Sequence, residues 1–289
     1  MELISKGHSM CAGCGIAMAM NQIAKACPDN VAVSCATGCL EVTTSVYPLT
    51  AWKVPWIHAA FECAPAVASG MEAAAKKLGK DMKVISIAGD GGTVDIGLQA
   101  LSGMLERGHS VTHICVDNEA YGNTGCQRSG ATPFGAWTTT TPAGKKFSGK
   151  KEFAKPMAEI AAAHRIPYVA TASVAYPEDL QMKMKKALDM QPSFLLIQTP
   201  CPPSWKIDSS ASVRAAKLAV MSGMWVLYEI EKGKLKLSQK PAKRAPVKEY
   251  LEMQGRFKHL TPETTAEIQK AADAEFARLE KMEKAGAML

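Results

Sequence analysis

The chain has 289 residues, of which 47% are hydrophobic and 21% are charged, and its formal net charge at pH 7 is +7. This composition is typical of a globular protein that buries a sizeable core, and no apolar run is long enough to predict a membrane span. The first residues do not have the pattern of a signal peptide, so a cytoplasmic location is expected. The nine cysteines are therefore interpreted as metal ligands, catalytic thiols or core residues rather than disulfides.

From about residue 10 to residue 200, short β-rich runs alternate with helical patterns, which predicts an α/β fold with a parallel sheet and helices on both faces. The predicted strands are 83–88, 111–116, 168–172 and 193–198. The predicted helices are 15–26, 64–78, 96–105, 155–164, 177–190 and 262–284. The pattern loosens after Cys201. We therefore predict a domain at 1–205 and a C-terminal extension at 206–289 that packs on this domain or on partner subunits.

A glycine-rich loop with one acidic residue, 89–92 (GDGG), follows the strand at 83–88 and leads into a helix. Glycines at such a turn let backbone amides approach a phosphate. Asp90 suits this loop if a divalent cation lies between its carboxylate and a diphosphate. The next strand ends at the loop 117–125 (DNEAYGNTG), and parallel strands bring both loops to the same edge of the sheet. The pair of loops predicts a diphosphate and metal site, although GDG alone is also an ordinary turn.

Four cysteines lie at predicted turns. Cys11 and Cys14 form a CxxC that opens a helix, and Cys39 and Cys201 each follow a strand-like stretch at a Gly or Pro corner. Such thiolates can hold an iron–sulfur cluster or structural Zn²⁺, and the CxxC alone can be a redox pair. The spacing leaves all three open. The other cysteines are interpreted as core or pocket residues: Cys27, Cys35, Cys63, Cys115 and Cys126.

Three stretches of the chain resemble the β subunit of pyruvate:ferredoxin oxidoreductases, the thiamine-diphosphate-binding subunit of the 2-oxoacid:ferredoxin oxidoreductase family. They are 7–75, which includes CATGCLEVTTSVYPLTAWKVPWIHAAFE, 116–145 (VDNEAYGNTGCQRSGATPFGAWTTTTPAGK) and 250–260 (YLEMQGRFKHL). The resemblance implies the thiamine-diphosphate-binding fold, with thiamine diphosphate, Mg²⁺ and one [4Fe–4S] cluster as cofactors.

The resemblance also implies roles for individual residues. The implied Mg²⁺ ligands are Asp90, the Asn118 side chain and the Ala120 carbonyl. The residues implied to face the diphosphate are Gly89, Gly91 and Gly92. The implied ligands of the [4Fe–4S] cluster nearest the thiamine are Cys11, Cys14, Cys39 and Cys201. The candidates for lining the reaction pocket are Asn123, Thr124 and Gln127, with Asn123 on the thiazolium side.

Two positions near the CxxC are treated separately. His8 is close enough in sequence to donate to the cluster or to the diphosphate, and a capping or structural histidine is the alternative. Some family members carry a cofactor-contacting glutamate after the CxxC-Gly, but this chain has Ile16 there. That contact is therefore not carried over to this chain.

The implied reaction converts a 2-oxoacid, pyruvate by the closeness of the match, and CoA to acyl-CoA and CO₂, with electrons passing through the cluster to ferredoxin. Relatives handle oxalate, 2-oxobutyrate, branched-chain 2-oxoacids and phenylglyoxylate. Partner subunits are expected to supply a catalytic glutamate, most substrate and CoA contacts and further Fe–S clusters. The alternatives are a non-redox thiamine lyase or synthase with structural zinc, and a non-catalytic Fe–S electron-transfer or scaffold subunit.

Basic residues are concentrated in the segment 232–248, which has no acidic residue and no interleaved aromatic residue. Nucleic-acid binding is therefore not predicted. A solvated basic loop is the simplest interpretation of this segment, and docking of an acidic protein is the alternative.

Overall fold

Eight strands form one mixed sheet in the computed structural model, which describes residues 1–144 and 147–286. Including two short strands outside this sheet, the strands of the described residues are β1 (Val31–Ala36), β2 (Trp56–Ala59), β3 (Lys83–Gly89), β4 (Val111–Asp117), β5 (Ala143–Gly144), β6 (Phe147–Ser148), β7 (Tyr168–Ser173), β8 (Ser193–Gln198), β9 (Tyr228–Glu231) and β10 (Lys234–Leu237). The sheet order is β10-β9-β7-β8-β4-β3-β1-β2, and β5 and β6 form a separate short pair. All pairings among β1, β2, β3, β4, β7 and β8 are parallel, whereas β9 and β10 are antiparallel additions.

Helices cover both faces of the sheet, as the sequence predicts. They are α1 (Gly15–Ala26), α2 (Cys39–Val42), α3 (Ala64–Lys77), α4 (Leu98–Glu106), α5 (Met157–Ala162), α6 (Pro177–Asp189), α7 (Pro202–Trp205), α8 (Ser212–Ser222), α9 (Val247–Glu252) and α10 (Pro262–Ala285). Helices α1 and α6 pack on one face, and α3, α4, α5 and α10 pack on the other. Strand β3 serves both cores, because Ile85 and Ile87 point to one face and Val84 to the other.

The start of α4 differs from the prediction and shapes the loop after β3. A π-helical turn, Gly91–Asp95, precedes α4, which begins at Leu98 rather than at residue 96. Position 97 tolerates only glycine, because a Cβ atom there would lie 1.9 Å from the Gly92 carbonyl oxygen. The chain therefore turns tightly just behind the 89–92 loop.

The residues after 205 extend the same sheet and add a further core. Strands β9 and β10 form a hairpin whose turn residues Lys232 and Gly233 both have positive φ. Trp205 and residues of α8, α9 and α10 form a separate hydrophobic cluster, and α10 also reaches the sheet through Leu279. A domain boundary at 205 stays a prediction.

The interpretation of 232–248 as a solvated loop is wrong for its first part. Lys234 and Lys236 lie exposed on the edge strand β10, alternating with the buried Leu235 and Leu237. Outward lysines on an edge strand discourage pairing with other chains. Within residues 1–144 and 147–286, no helix combines the length and the apolar character needed to cross a membrane.

Candidate functional site

A cavity of about 340 Å³, here called the strand-end cavity, lies where β1, β3 and β4 end. Its walls come from the three stretches 35–40, 87–91 and 116–124, joined by Ile16 and Phe61. The structure brings together most of the predicted cofactor residues on these walls: Cys39, Gly89, Asp90, Gly91, Asn118, Ala120, Asn123 and Thr124. Parallel strands deliver both loops to one edge, so loops distant in sequence share this cavity.

Asp90 lines the strand-end cavity and is only 1% exposed. Its pKa is raised to about 7, mainly by burial and also by the nearby Glu119 and Asp95, while a hydrogen bond that Ser129 Oγ donates to Asp90 Oδ2 acts in the opposite direction. A buried carboxylate surrounded by other acids is unfavourable unless a cation neutralises it. The position of Asp90 therefore fits a divalent metal ion at this wall of the cavity.

The loop after β4 is held by its own hydrogen bonds, and its residues Asn118 and Ala120 line the same cavity as Asp90. Asp117 Oδ1 accepts a hydrogen bond from the Glu119 N–H at 2.8 Å, and Asn118 Oδ1 accepts one from the Ala120 N–H at 3.2 Å. Trp205 Nε1 donates to the Asn118 carbonyl at 2.9 Å from the other side. Carboxylate, amide and carbonyl oxygens are ligands that suit Mg²⁺, so Asp90, Asn118 and Ala120 fit the predicted ligand set.

The glycines of the GDGG loop serve different purposes. Gly89 lines the strand-end cavity and would place a Cβ atom in open space, so a ligand can approach its backbone closely. At Gly91 a Cβ atom would lie 1.8 Å from the Tyr121 ring, and at Gly92 it would lie 3.0 Å from the Phe61 carbonyl oxygen. Gly91 and Gly92 are thus also required by packing, and Gly92 is outside the cavity lining.

Four cysteines surround a second, smaller cavity of about 50 Å³, here called the cysteine cavity. They are the four predicted cluster ligands: Cys11, Cys14, Cys39 and Cys201. Cys39 also lines the strand-end cavity, so the two cavities share a wall. Gly122 lies at this wall, because a Cβ atom there would be 3.3 Å from Asn118 Nδ2, 3.4 Å from Cys39 Sγ and 3.8 Å from Cys201 Sγ.

The electrostatics of the cysteine cavity require a positive centre if the sulfurs are to be thiolates. The pKa of Cys39 is raised to about 12, mainly by burial and in smaller part by the neighbouring Cys201, Cys14 and Cys11. Burial likewise raises the pKa of Cys14 and of Cys201. An iron–sulfur cluster or a metal ion would reverse this by stabilising the deprotonated form.

Four thiols around one cavity suit two kinds of metal centre. A [4Fe–4S] cluster takes each thiolate on a different iron atom, whereas zinc needs its thiolates about 2.3 Å from one centre. The cluster stays the prediction that the family resemblance implies, and structural zinc stays the alternative.

Besides Gly92, two predicted site residues line neither cavity. His8 is on a surface pocket near the N-terminus, where its Nδ1 accepts a hydrogen bond from the Met10 N–H at 3.4 Å. Gln127 does not line the strand-end cavity but binds the lining residue Thr124, accepting from its Oγ1 at 2.6 Å and donating to its carbonyl at 2.7 Å. Their cofactor and catalytic roles stay predictions.

Three of the remaining five cysteines have the core positions that the sequence predicts, whereas Cys63 and Cys126 are only half-buried and line neither cavity. Cys27, Cys35 and Cys115 are buried, and Cys35 also lines the strand-end cavity. Cys126 accepts a hydrogen bond from Ser204 Oγ at 2.9 Å and lines neither cavity. No residue of this group joins the four thiols around the cysteine cavity.

Several residues that contact the site were not predicted. Ser129 binds Asp90, and Thr37 on the strand-end cavity has its Oγ1 2.6 Å from His58 Nε2. Arg256 forms a buried ion pair with Glu119. These residues lie within the three stretches that carry the family resemblance, but no local motif distinguishes them from their neighbours.

A larger cavity, of about 600 Å³, lies on the other side of the β4 loop. Asp117 and Glu119 belong to its wall, together with Phe134, Phe153 and Trp225. None of the predicted cofactor or cluster residues lines this cavity, so size alone does not identify the site.

Comparison with known proteins identifies the family to which the chain belongs. Residues 32–199 match the family described as thiamine pyrophosphate enzyme, C-terminal TPP binding domain. Pyruvate synthase subunit PorB of Methanothermobacter marburgensis is 50% identical over 275 residues, covering 94% of this chain and 96% of the relative. Ketoisovalerate oxidoreductase subunit VorB of Pyrococcus abyssi is 45% identical over 285 residues, covering 96% of this chain and 92% of the relative.

A solved structure supports the fold. A 2-oxoglutarate:ferredoxin oxidoreductase from Magnetococcus marinus superposes with a TM-score of 0.60 at 22% identity, over 74% of this chain and 79% of that one. The matched range 32–199 contains the loops after β3 and β4 and most of the strand-end cavity. The chain therefore belongs to the thiamine pyrophosphate enzyme family and, within it, to the 2-oxoacid:ferredoxin oxidoreductase subunits represented by pyruvate synthase subunit PorB.

Proposed function

We propose that this chain holds thiamine diphosphate, Mg²⁺ and one [4Fe–4S] cluster, and that its assembled enzyme oxidises pyruvate and CoA to acetyl-CoA and CO₂ while reducing ferredoxin. The observation that carries this proposal is the wall that the strand-end cavity and the cysteine cavity share at Cys39. A thiamine enzyme that only decarboxylates needs no electron acceptor beside its cofactor. A redox centre held by the cysteines next to the thiamine would supply an acceptor for the electrons that an oxidative decarboxylation releases.

When bound, thiamine diphosphate supplies the carbanion that attacks a 2-oxo carbon and the electron sink for loss of CO₂. The chain's own residues hold and shield it. Asp90, Asn118 and the Ala120 carbonyl bind Mg²⁺, and the backbone at Gly89 faces the diphosphate. The apolar cavity residues Ile16, Leu40, Phe61 and Ile87 exclude water from the reacting atoms.

Partner subunits complete the reaction in this proposal. They supply the glutamate for the aminopyrimidine ring, most contacts to the 2-oxoacid and CoA, and further Fe–S clusters that lead to ferredoxin. A cytoplasmic location belongs to the same proposal, since none of the nine cysteines forms a disulfide and cluster ligands must stay reduced.

Two substrates are favoured by the relatives. Pyruvate is the first candidate because the PorB relative is 50% identical to this chain, and a branched-chain 2-oxoacid is the second because the VorB relative is 45% identical. The difference between these identities is small, so the substrate must be measured directly.

The test is CoA-dependent reduction of methyl viologen by the anaerobically co-purified subunits, with a panel of 2-oxoacids. We expect the highest kcat/KM with pyruvate. A higher value with 2-oxoisovalerate would assign the second candidate. Release of an aldehyde from pyruvate with no viologen reduction would contradict the oxidoreductase and support the non-redox alternative.

A further inference from the structure

A buried arginine from the C-terminal part of the chain contacts the cofactor loop. Arg256, only 2% exposed, forms an ion pair through its Nη2 with Oε2 of Glu119, which is 4% exposed. Glu119 lies between Asn118 and Ala120, two of the proposed Mg²⁺ ligands. The pair joins positions 137 residues apart in sequence.

The guanidinium of Arg256 is fixed on several sides. Its Cζ lies 4.3 Å from the centre of the Trp205 ring and 4.9 Å from that of Phe257, and its Nε donates to Gln254 Oε1 at 2.9 Å. Trp205 in turn donates from Nε1 to the Asn118 carbonyl at 2.9 Å. Arg256 and Trp205 therefore form one stacked unit that binds two successive residues of the loop.

On the loop side, Glu119 adopts a strained conformation that needs such support. Its φ is 65°, in the left-handed region that non-glycine residues rarely adopt. Thr132 Oγ1 donates to its carbonyl at 2.6 Å, and Gln198 Nε2 donates to its Oε1 at 3.2 Å. Arg256 supplies the only positive charge among these contacts of the described residues.

Arg256 also provides the charged partner of a buried acid beside the metal site. Asp90, Asp117 and Glu119 are all buried, and the Arg256 guanidinium pairs with the carboxylate of Glu119. Without Arg256, that carboxylate would be buried with no charged partner.

We propose that Arg256 is a positioning residue that holds the loop 117–122 in its cofactor-binding conformation, so that the C-terminal part of the chain controls retention of thiamine diphosphate and Mg²⁺. This inference rests on the proposed thiamine site. It adds a determinant of that site from outside the family-matched range 32–199.

The test uses the co-purified holoenzyme, resolved to the apoenzyme and titrated with thiamine diphosphate at saturating Mg²⁺. The variants are Arg256→Met, Arg256→Lys and the double variant Glu119→Gln/Arg256→Met. Arg244→Met is the matched control, because Arg244 also pairs with an acid, Asp273, and stacks on an aromatic ring, but away from the loop.

For Arg256→Met we expect the thiamine diphosphate concentration for half-maximal activation to rise by about tenfold or more, since removing one partner of a buried pair leaves the other uncompensated. The kcat at saturating cofactor stays within about threefold, because Arg256 lines neither the strand-end nor the cysteine cavity. Arg256→Lys, which keeps the charge without the planar fork, should give an intermediate value. Arg244→Met should stay within about twofold of the parent.

The double variant separates positioning from general stability. It removes both buried charges, so its unfolding temperature should recover toward that of the parent while the activation constant stays raised. Three results would overturn the proposal. They are recovery of both the unfolding temperature and the activation constant in the double variant, an unchanged activation constant in Arg256→Met, and an equal rise of that constant in Arg244→Met. If the parent enzyme itself shows no thiamine dependence, the proposed function fails, which is a different outcome.

Discussion

Asp90 is the residue on which the metal site depends most directly. It is buried beside other acids and accepts one hydrogen bond from Ser129. Nothing in the protein surroundings of this carboxylate favours its ionised form strongly enough to outweigh burial, which is why its pKa rises to about 7. The proposed Mg²⁺ between Asp90 and a diphosphate would explain why an aspartate stands in a loop that otherwise suits an anion.

The first prediction concerns Asp90→Asn. We expect the purified enzyme to lose at least about nine-tenths of its thiamine diphosphate on desalting, because the metal bridge to the diphosphate loses a charged ligand. The iron content should be unchanged, since Asp90 does not line the cysteine cavity. Thiochrome fluorescence and iron analysis on the same sample measure both, with the exposed Asp29→Asn as a control. Parallel loss of iron would show that the two sites are not separable.

The second prediction concerns the wall between the two cavities. Gly122→Val should lower both thiamine diphosphate and iron content, because a side chain there would press on Asn118 Nδ2 and Cys39 Sγ. Gly70→Ala is the control, since a Cβ atom at Gly70 meets no atom within 4 Å. Normal contents of both cofactors in Gly122→Val would mean that the cavities are not joined at this residue.

Much of the candidate site could be predicted from the sequence because it depends on local patterns. The loops 89–92 and 117–125 follow recognisable strands, and parallel strands bring such loops together. Arg256 and Trp205 could not be predicted in this way. Their contacts cross large sequence separations, and a buried arginine has no local signature that distinguishes it from an exposed one.

At the level of elements, β9 is attached to the sheet by polar contacts as well as by pairing with β7. Glu229 on β9 accepts hydrogen bonds from Lys186 Nζ at 2.9 Å and from Tyr168 Oη at 2.8 Å. Burial alone would raise the pKa of Glu229, but these contacts outweigh burial and hold it below its usual value.

The third prediction follows from this pKa. A carboxylate whose folded-state pKa is lowered stabilises the fold above its unfolded-state pKa and loses that contribution as pH falls through the folded value. Glu229→Gln should therefore lower the free energy of unfolding by about 1–3 kcal/mol at pH 7, and the difference from the parent should shrink as pH falls below about 4. Urea unfolding followed by tryptophan fluorescence measures this difference. The half-exposed Glu231→Gln should change stability by less than about 0.5 kcal/mol, and an equal effect of both variants would contradict the assignment.

The elements themselves were predicted unevenly, for physical reasons. The four predicted strands are present almost to the residue, because they are rich in β-branched and aromatic side chains. Strand β1 (VAVSCA), which lies next to the edge strand β2, was noted only as a strand-like stretch before Cys39 and was given no bounds, since alanine, serine and cysteine give a weak strand signal. Strand β10 (KLKL) alternates as a strand should, but its lysines also fit a solvated loop.

At the scale of the whole molecule, the chain contains the walls of a cofactor cavity and four thiols but no assigned glutamate for the aminopyrimidine. The residues after 205 extend the sheet with β9 and β10, and they contact the β4 loop through the Arg256–Glu119 ion pair. Cofactor binding and C-terminal packing are therefore parts of one structure.

The fourth prediction concerns this division between chains. The separately purified chain, reconstituted with iron, sulfide, Mg²⁺ and thiamine diphosphate, should bind its cofactors but reduce viologen at less than about one-thousandth of the rate of the assembled enzyme, because we propose that a partner subunit supplies the acid–base group. The rate of viologen reduction is measured for both preparations under the same conditions. Full activity of the single chain would place the missing glutamate in this chain.

We propose that one chain holds both cofactors. The clearest test is to measure iron, acid-labile sulfide, zinc and thiamine diphosphate in the anaerobically purified complex. The parent is compared with four single variants: Cys11→Ser, Cys14→Ser, Cys39→Ser and Cys201→Ser. We expect each substitution to remove about four iron atoms and four sulfide ions from the complex total, leaving about one thiamine diphosphate per chain. Loss of one zinc ion with no change in iron, or unchanged metal content in all four variants, would contradict the account.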